Sequence, residues 1–481
     1  MIELTPRLDP MSDEALYMQL YRYLGEQIAN GRIPTGSRLP SVRRLSEHLG
    51  ISRTPVSLAY EQLLAEGYIH SKPRSGYYAS ELDRTGMILP ADTRSPNGLP
   101  AAARLSRPYH AFGSDQTPFD FGYGSVDLES FPLNKWRKWM NRCLLPENQR
   151  LLLYGELQGE AGLRLQIASY LHQVRGVRCV PEQIVIGAGT YHSLELLLQL
   201  LNGDVDCMAA EEFVNDGVKA LFKQFRLACR PLKLESDGIR VEELFDSRAR
   251  AVYVTPSHQF PFGMVLSVNK RIKLLNWAKE RQAYIIENDY DGEFRYHGRP
   301  IPSLQGLDED GRVVYVGTFS RTLAPSFRLS YLVLPPKLLD RFFELKHSYD
   351  QLASPIFQKT LQLFMESGEF GRHMRKMRRL YHKKHDALLQ EVARAFGGQA
   401  DVIGAGSGLH VLLKVRNGMS ERQLIEAAKE SGVLVYPASV YALAPGRAED
   451  STVLLGFGGL TEAGIAEGVG RLAKAWGICP E

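Results

Sequence analysis

The chain has 481 residues, 44% hydrophobic and 23% charged, with a formal net charge of +4. That length calls for two or three domains, and that balance describes a folded protein and excludes a disordered or fibrous one. A charge so near neutral decides nothing about nucleic acid, so the placement of the basic residues must decide it.

Residues 12–79 form one pattern. Tyr17, Leu20, Tyr21, Leu24 and Ile28 recur at helical spacing, and Gly31 stops that helix. Pro40 and Ser41 open a second helix that Gly50 closes. Ser52 suits an N-cap for a third, with Pro55 in its first turn and Val56, Ala59, Tyr60, Leu63 and Leu64 as its apolar stripe. Tyr68 to Ala79 reads as two short strands around KPRSG. Residues 80–117 hold Pro90, Pro96, Pro100 and Pro108 with interspersed glycines, which reads as a linker. From about 118 to 481, helical patterns alternate with short β-rich runs: QIVIGAG, DCMAA, AVYVTP, AYIIEND, VVYVG and SYLVL. That alternation predicts an α/β domain around a mostly parallel sheet. A smaller α+β segment follows from about 340, with GLHVLLKV, VLVYPAS and TVLLGFGG.

Two helices joined by a tight Gly-containing turn match a helix-turn-helix, and the hairpin adds a wing. Arg38, Arg43, Arg44 and Arg53 gather at the starts of the second and third helices, and Lys72 and Arg74 sit at the hairpin tip. Arg53 and Thr54 are candidates for reading base edges. Arg43, Ser52, Lys72 and Arg74 suit phosphate contacts. A solvated charged face on a small helical domain is the competing reading. The stretch IANGRIPTGSRLPSVRRLSEHLGISRTPVSLAYEQLLAEGYIHSKPRSGYY resembles the GntR-type winged helix along its whole length. The resemblance implies a double-stranded DNA operator, with Arg43, Ser52, Arg53 and Thr54 at DNA-contacting positions.

Residues 118 to about 475 resemble fold-type I aminotransferases, and more closely the MocR/GabR branch of GntR regulators, which joins both modules. The carrying stretches include YGELQGEAGLR, VRCVPEQIVIGAGT, VTPSHQFPFG, IIENDYDGEF and GTFSRTLAPSFRLSYLVLPP. The family cofactor is pyridoxal phosphate, its phosphate held at a helix N-terminus with a hydroxyl and an arginine. By resemblance Gly189, Thr190, Thr318 and Arg328 take those positions. A Gly-rich turn kept for backbone geometry, with Arg328 paired to a carboxylate, is the alternative. The chemistry positions depart from the family. Arg321 stands where the family has the lysine that carries the cofactor covalently, and a guanidinium offers no neutral amine. Asn288 stands where an aspartate pairs with the ring nitrogen, Asn215 where a tyrosine stacks on the ring, and Gly217 and Gly459 where arginines bind substrate. Tyr290, at the position that bonds the ring's phenolic oxygen, is retained.

The resemblance therefore implies a DNA-binding regulator whose aminotransferase-like domain is a non-catalytic, effector-sensing or dimerising module. The cofactor is not held covalently, which leaves weak, non-covalent binding of pyridoxal phosphate or another anion. The alternative is a working pyridoxal-phosphate enzyme that carries a DNA-binding appendage. A homodimer and a small-molecule effector are the other partners expected. The five scattered cysteines, with no CxxC pair, suit a reducing compartment. No run approaches the roughly 20 apolar residues of a membrane helix, and Glu3, Asp9, Asp13 and Glu14 leave no secretory pattern at the N-terminus. The expectation is a cytoplasmic protein without a membrane partner. The histidines show no metal-ligand spacing, and His192 and His258 read as polar lining. The basic run GRHMRKMRRLYHKKHDALL reads as a solvated helix face, with contact to flanking DNA as the alternative.

Overall fold

The computed structural model describes Pro6 and residues 8–10, 12, 14–73, 75–82, 118–296, 298, 301–345, 348–444 and 451–478. The chain divides into two compact units, Met1–Tyr109 and His110–Glu481. The expected linker falls almost wholly outside the described residues, as does Arg74.

The first unit has helices α1 (Leu16–Ala29), α2 (Val42–Leu49) and α3 (Arg53–Ala65), then strands β1 (Ile69–Lys72) and β2 (Gly76–Ala79). Leu20, Leu24 and Ile28 of α1 meet Leu45 of α2, Val56, Ala59, Tyr60 and Leu63 of α3, and Ile69 of β1 in one core. Leu64 belongs to the expected α3 stripe but is 39% exposed. The Ser41 hydroxyl accepts from the Arg44 amide at 3.3 Å and caps α2, and Gly50, at φ 66°, ends it. The Tyr60 hydroxyl donates to the Pro40 carbonyl at 2.8 Å, tying α3 to the entrance of α2. β1 and β2 pair antiparallel from Ile69↔Ala79 to Lys72↔Gly76, forming the wing.

The second unit is built on a seven-stranded sheet. Its order is Ile184–Gly187, Ser330–Val333, Val313–Thr318, Tyr284–Asp289, Ala251–Val254, Cys207–Glu211 and Ala228–Leu232. Only Ser330–Val333 runs antiparallel to its neighbours. On one face Leu194, Leu197 and Leu201 of the helix Thr190–Leu201 pack on Val316 and Leu332. On the other, Leu274 and Trp277 of the helix Val268–Arg281 pack on Val252 and Ile285. Covering both faces explains why these strands read as continuous apolar runs. An antiparallel sheet of Ala400–Ile403, His410–Val415, Thr452–Gly456 and Tyr436–Pro437 forms the smaller subdomain.

One expectation changes here. Phe119–Asp120 pairs in parallel with Val433–Leu434, so the smaller subdomain also takes in the chain's entry strand. The basic run lies in the helix Glu369–Phe396 and, as expected of a solvated face, Arg372, Arg375, Lys376, Arg379 and Lys383 are exposed. Lys384 is buried against Asp127 at 2.6 Å, and Arg378 and Lys376 donate to the carbonyls of Glu293 and Ser130. Among the described residues, no helix is long and apolar enough to cross a membrane.

Candidate functional sites

In the first unit, Ser52, Arg53 and Thr54 are exposed at the start of α3, where a recognition helix presents its base-reading side chains. Ser52 occupies the N-cap position, but its hydroxyl makes no capping bond. Arg43, on α2, is exposed and gives its Nε to Glu47 one turn on at 2.9 Å. Lys72 lies 4.6 Å from the centroid of the Tyr78 ring. That contact steadies the wing cation without neutralising it.

In the second unit, Gly189, Asn288, Thr318 and Arg321 lie at or just beyond strand ends on one edge of the sheet. This is the carboxyl edge of the parallel strands, where open α/β sheets place their ligand sites. Gly189, at φ 104°, opens the helix Thr190–Leu201, whose first N–H groups have no partner within the helix. The Arg328 guanidinium lies directly against Gly189, so a Cβ there would strike it. Arg328 itself holds φ 52°, an uncommon conformation for a side-chain residue, and this turn delivers its guanidinium to the helix N-terminus. That guanidinium has no ion-pair or hydrogen-bond partner among the described residues, contrary to the carboxylate-paired alternative. Ser330 Oγ accepts from the Gly189 amide at 3.0 Å, and Thr318 Oγ1 accepts from the Ser320 amide at 3.2 Å. The arrangement is a cationic cup open to an anion.

Arg321 is buried deeper. Its guanidinium carbon lies 4.0 Å from the centroid of the Tyr123 ring, and its Nη1 donates to the Tyr123 carbonyl. Burial works against its charge, but Tyr123, Asp291 and Tyr290 outweigh burial and hold the pKa above the usual arginine value. The side chain is a fixed cation. Asn288 Nδ2 donates to the Tyr253 hydroxyl at 2.7 Å, and Asn288 Oδ1 is buried without a partner. The neighbouring Asp289 is engaged elsewhere, by Arg175 Nε at 2.6 Å and the Tyr315 hydroxyl at 2.5 Å. Strand alternation sends the two side chains to opposite faces, so Asp289 is structural and cannot stand in for Asn288.

The remaining departures are filled by neighbours. The Tyr191 ring covers Gly217 so closely that a Cβ would collide with it. The Tyr191 hydroxyl donates to Asn215 Oδ1, which also caps the helix Asp216–Gln224 by accepting from the Gly217 amide at 3.0 Å. A Cβ on Gly459 would come within 2.6 Å of Ser125 Cβ. A side chain at either glycine would have to displace its neighbour.

Tyr123, Tyr191, Asp291 and His410 emerge only from the structure, which sets His258, read from the sequence as polar lining, in a group with Asp291 and His410. His258 Nδ1 bonds both Asp291 oxygens, at 2.9 and 3.0 Å, and the Tyr290 hydroxyl at 3.0 Å. Potential ligand atoms of His258, Asp291 and His410 lie within 4.8 Å of one another. His258 Nε2 and His410 Nδ1 are buried without a hydrogen-bond partner, and a cation there would share its surroundings with the Arg321 charge. Burial holds His410 well below the usual histidine pKa, with His258 and Arg321 acting the same way. The group is a hydrogen-bonded cluster beside the Arg321 cation.

The sequence matches two known families. Residues 16–78 match the bacterial regulatory proteins of the gntR family, and residues 116–472 match aminotransferase class I and II. The chain is 42% identical over 478 residues to YdeL of Bacillus subtilis (strain 168), an uncharacterized HTH-type transcriptional regulator, covering 99% of this chain and 100% of YdeL. It is 31% identical to MocR of Rhizobium meliloti, a probable rhizopine catabolism regulatory protein, covering 98% of this chain and 95% of MocR. The chain belongs to the MocR-type branch of the gntR regulators. This MocR-type chain is a DNA-binding transcription regulator with an aminotransferase-like domain. In fold, that domain is similar to the multiple substrate aminotransferase of Thermococcus profundus, with a TM-score of 0.68 and 26% identity, covering 75% of this chain and 91% of the enzyme.

The fold implies pyridoxal phosphate. In this MocR-type regulator the cup of Gly189, Thr190, Thr318 and Arg328 suits a phosphate. Arg321 and Asn288 do not suit a covalently held, charge-paired cofactor.

Proposed function

We propose that this protein regulates transcription through an aminotransferase-like domain that performs no transamination and instead receives a small anionic effector without a covalent bond. The observation that carries this reading is Arg321: a permanent cation, pinned by Tyr123, at the family's lysine position. Asn288 supplies no charge to a ring nitrogen, and Gly217 and Gly459, packed under Tyr191 and against Ser125, carry no guanidinium to clamp a substrate. The unpaired Arg328 guanidinium at a helix N-terminus keeps the cup attractive to pyridoxal phosphate or another phosphate-bearing anion. The test is to incubate the full chain with pyridoxal phosphate, reduce with borohydride, digest it and search for phosphopyridoxyl peptides. No adduct is expected on any pocket residue. An adduct on a pocket lysine together with measurable amino transfer would restore the enzyme reading. Arg321→Lys should regain at most partial attachment and little turnover, because the other departures persist.

The winged helix is assigned to DNA, with Arg53 and Thr54 at base edges and Arg43, Ser52, Lys72 and Arg74 at phosphates. Two half-sites call for a homodimer. Leu144, Leu145, Leu152, Leu153 and Tyr154 support one. They fall in one short stretch, and Tyr154 is 97% exposed, a density of uncovered apolar surface that favours association. Light scattering should give the mass of a dimer at micromolar concentration, and Leu153→Asp should shift it toward monomer. A wild-type chain that elutes as a stable monomer would defeat the assignment.

A further inference from the structure

At the opposite, amino edge of the large sheet lies a second polar cavity, of about 360 Å³. It is lined by Asp204, Arg250, Gln282, Tyr284, Arg312 and Lys337, with Gly203 and Val205 completing the wall. Arg250, Tyr284 and Arg312 sit at or just before the starts of three adjacent strands, Ala251–Val254, Tyr284–Asp289 and Val313–Thr318, so the sheet itself fixes their spacing. Lys337 comes from the first turn of the helix Pro336–Glu344.

The charges do not balance within this cavity. Asp204 is the acid in its lining, and Asp204 is already paired with Arg341, whose Nη2 lies 2.6 Å from its Oδ2. Arg312 spends one terminal nitrogen on Gln282 Oε1, which carries no charge. Arg250 and Lys337 have no side-chain partner among the described residues. Two polar atoms are buried and unsatisfied in the same place: the Tyr284 hydroxyl, on a residue only 4% exposed, and Arg312 Nε. Burial pushes the Tyr284 phenol pKa up, while the nearby Arg312 and Arg341 cations pull the other way. Buried donors without partners are rare in folded proteins and mark a missing acceptor. Here donors and cations of one kind converge on one cavity.

We propose that this cavity is a second anion site, distinct from the cup at Arg328, and that it takes a small phosphate-bearing ligand. Arg312 offers Nε and a free edge of its guanidinium fork, Tyr284 a hydroxyl, and Arg250 and Lys337 two further charges. A tetrahedral dianion with several acceptor oxygens meets all of them, whereas a single carboxylate has too few oxygens. The site lies on the far edge of the sheet from the pocket at Arg321, so the two can be filled independently.

The test is isothermal titration of the full-length protein with inorganic phosphate and, in parallel, with acetate. The cup at Arg328 is expected to take phosphate as well, so each variant reads one site. Arg250→Met and Lys337→Met, both at exposed positions, should each weaken one phosphate-binding event by about tenfold or more. Arg328→Met should leave that event intact. Tyr284→Phe should weaken it more modestly, with an unchanged thermal melt as the control for folding. Acetate should bind at least about tenfold more weakly at this site. Phosphate binding abolished by Arg328→Met alone would place all of it in the cup and overturn the proposal. So would the absence of any binding sensitive to Arg250 and Lys337, or equal affinity for acetate.

Discussion

Arg175→Met should destabilise the aminotransferase-like domain by about 3–5 kcal/mol, the range for breaking a buried ion pair from one side. Arg175 is 1% exposed and Asp289 3%, and the guanidinium also bonds the Ser257 hydroxyl at 2.6 Å and the Gly292 carbonyl. Removing the arginine leaves the Asp289 carboxylate in a dry interior with the Tyr315 hydroxyl as its remaining side-chain partner. For a domain of this size the expected drop in Tm is roughly 4–6 °C. The double variant Arg175→Met/Asp289→Asn removes both charges and should lose less than the two single variants summed. A single variant that melts within about 1 °C of the wild type would refute the structural role given to Asp289.

Arg53→Ala should weaken operator binding by about 1–3 kcal/mol and relax the base preference at one position of each half-site. The residue is exposed at the first turn of α3. Lys72→Ala should behave differently. It leaves sequence preference alone, weakens all duplexes alike and reduces the slope of log affinity against log salt by about 0.9. Fluorescence anisotropy with operator and scrambled duplexes at several salt concentrations separates the two signatures. Unchanged operator affinity in the Arg53 variant would remove α3 from the groove.

The strands that the sequence discloses are those buried on both faces. AVYVTP, AYIIEND and VVYVG announce themselves because each opens on an unbroken apolar run, and they are the middle of the sheet. Ala228–Leu232 passes unnoticed because it is the edge strand. It alternates exposed and half-buried residues and carries Arg230 and Pro231, which an edge tolerates and a central strand does not. Ala400–Ile403, at the edge of the smaller sheet, is half-buried throughout and escapes as well. In the pocket, Arg321, Asn288 and Arg328 are legible as departures from or agreements with a motif. What fills the vacated space is not. Tyr191 over Gly217 and Ser125 against Gly459 are contacts between distant segments, and no local pattern encodes them. Tyr123 lies in such a segment too, and it holds the cation that defines the site.

The strand that opens the second unit finds its partner almost at the chain's end, Phe119 beside Val433 and Asp120 beside Leu434. On a ribosome adding about 5–20 residues per second, that pairing waits until nearly the whole protein has emerged. The winged helix, complete by Ala79 with a core of its own, faces no such delay. Synthesis therefore passes through an interval in which the DNA-reading unit is finished and the aminotransferase-like unit is not.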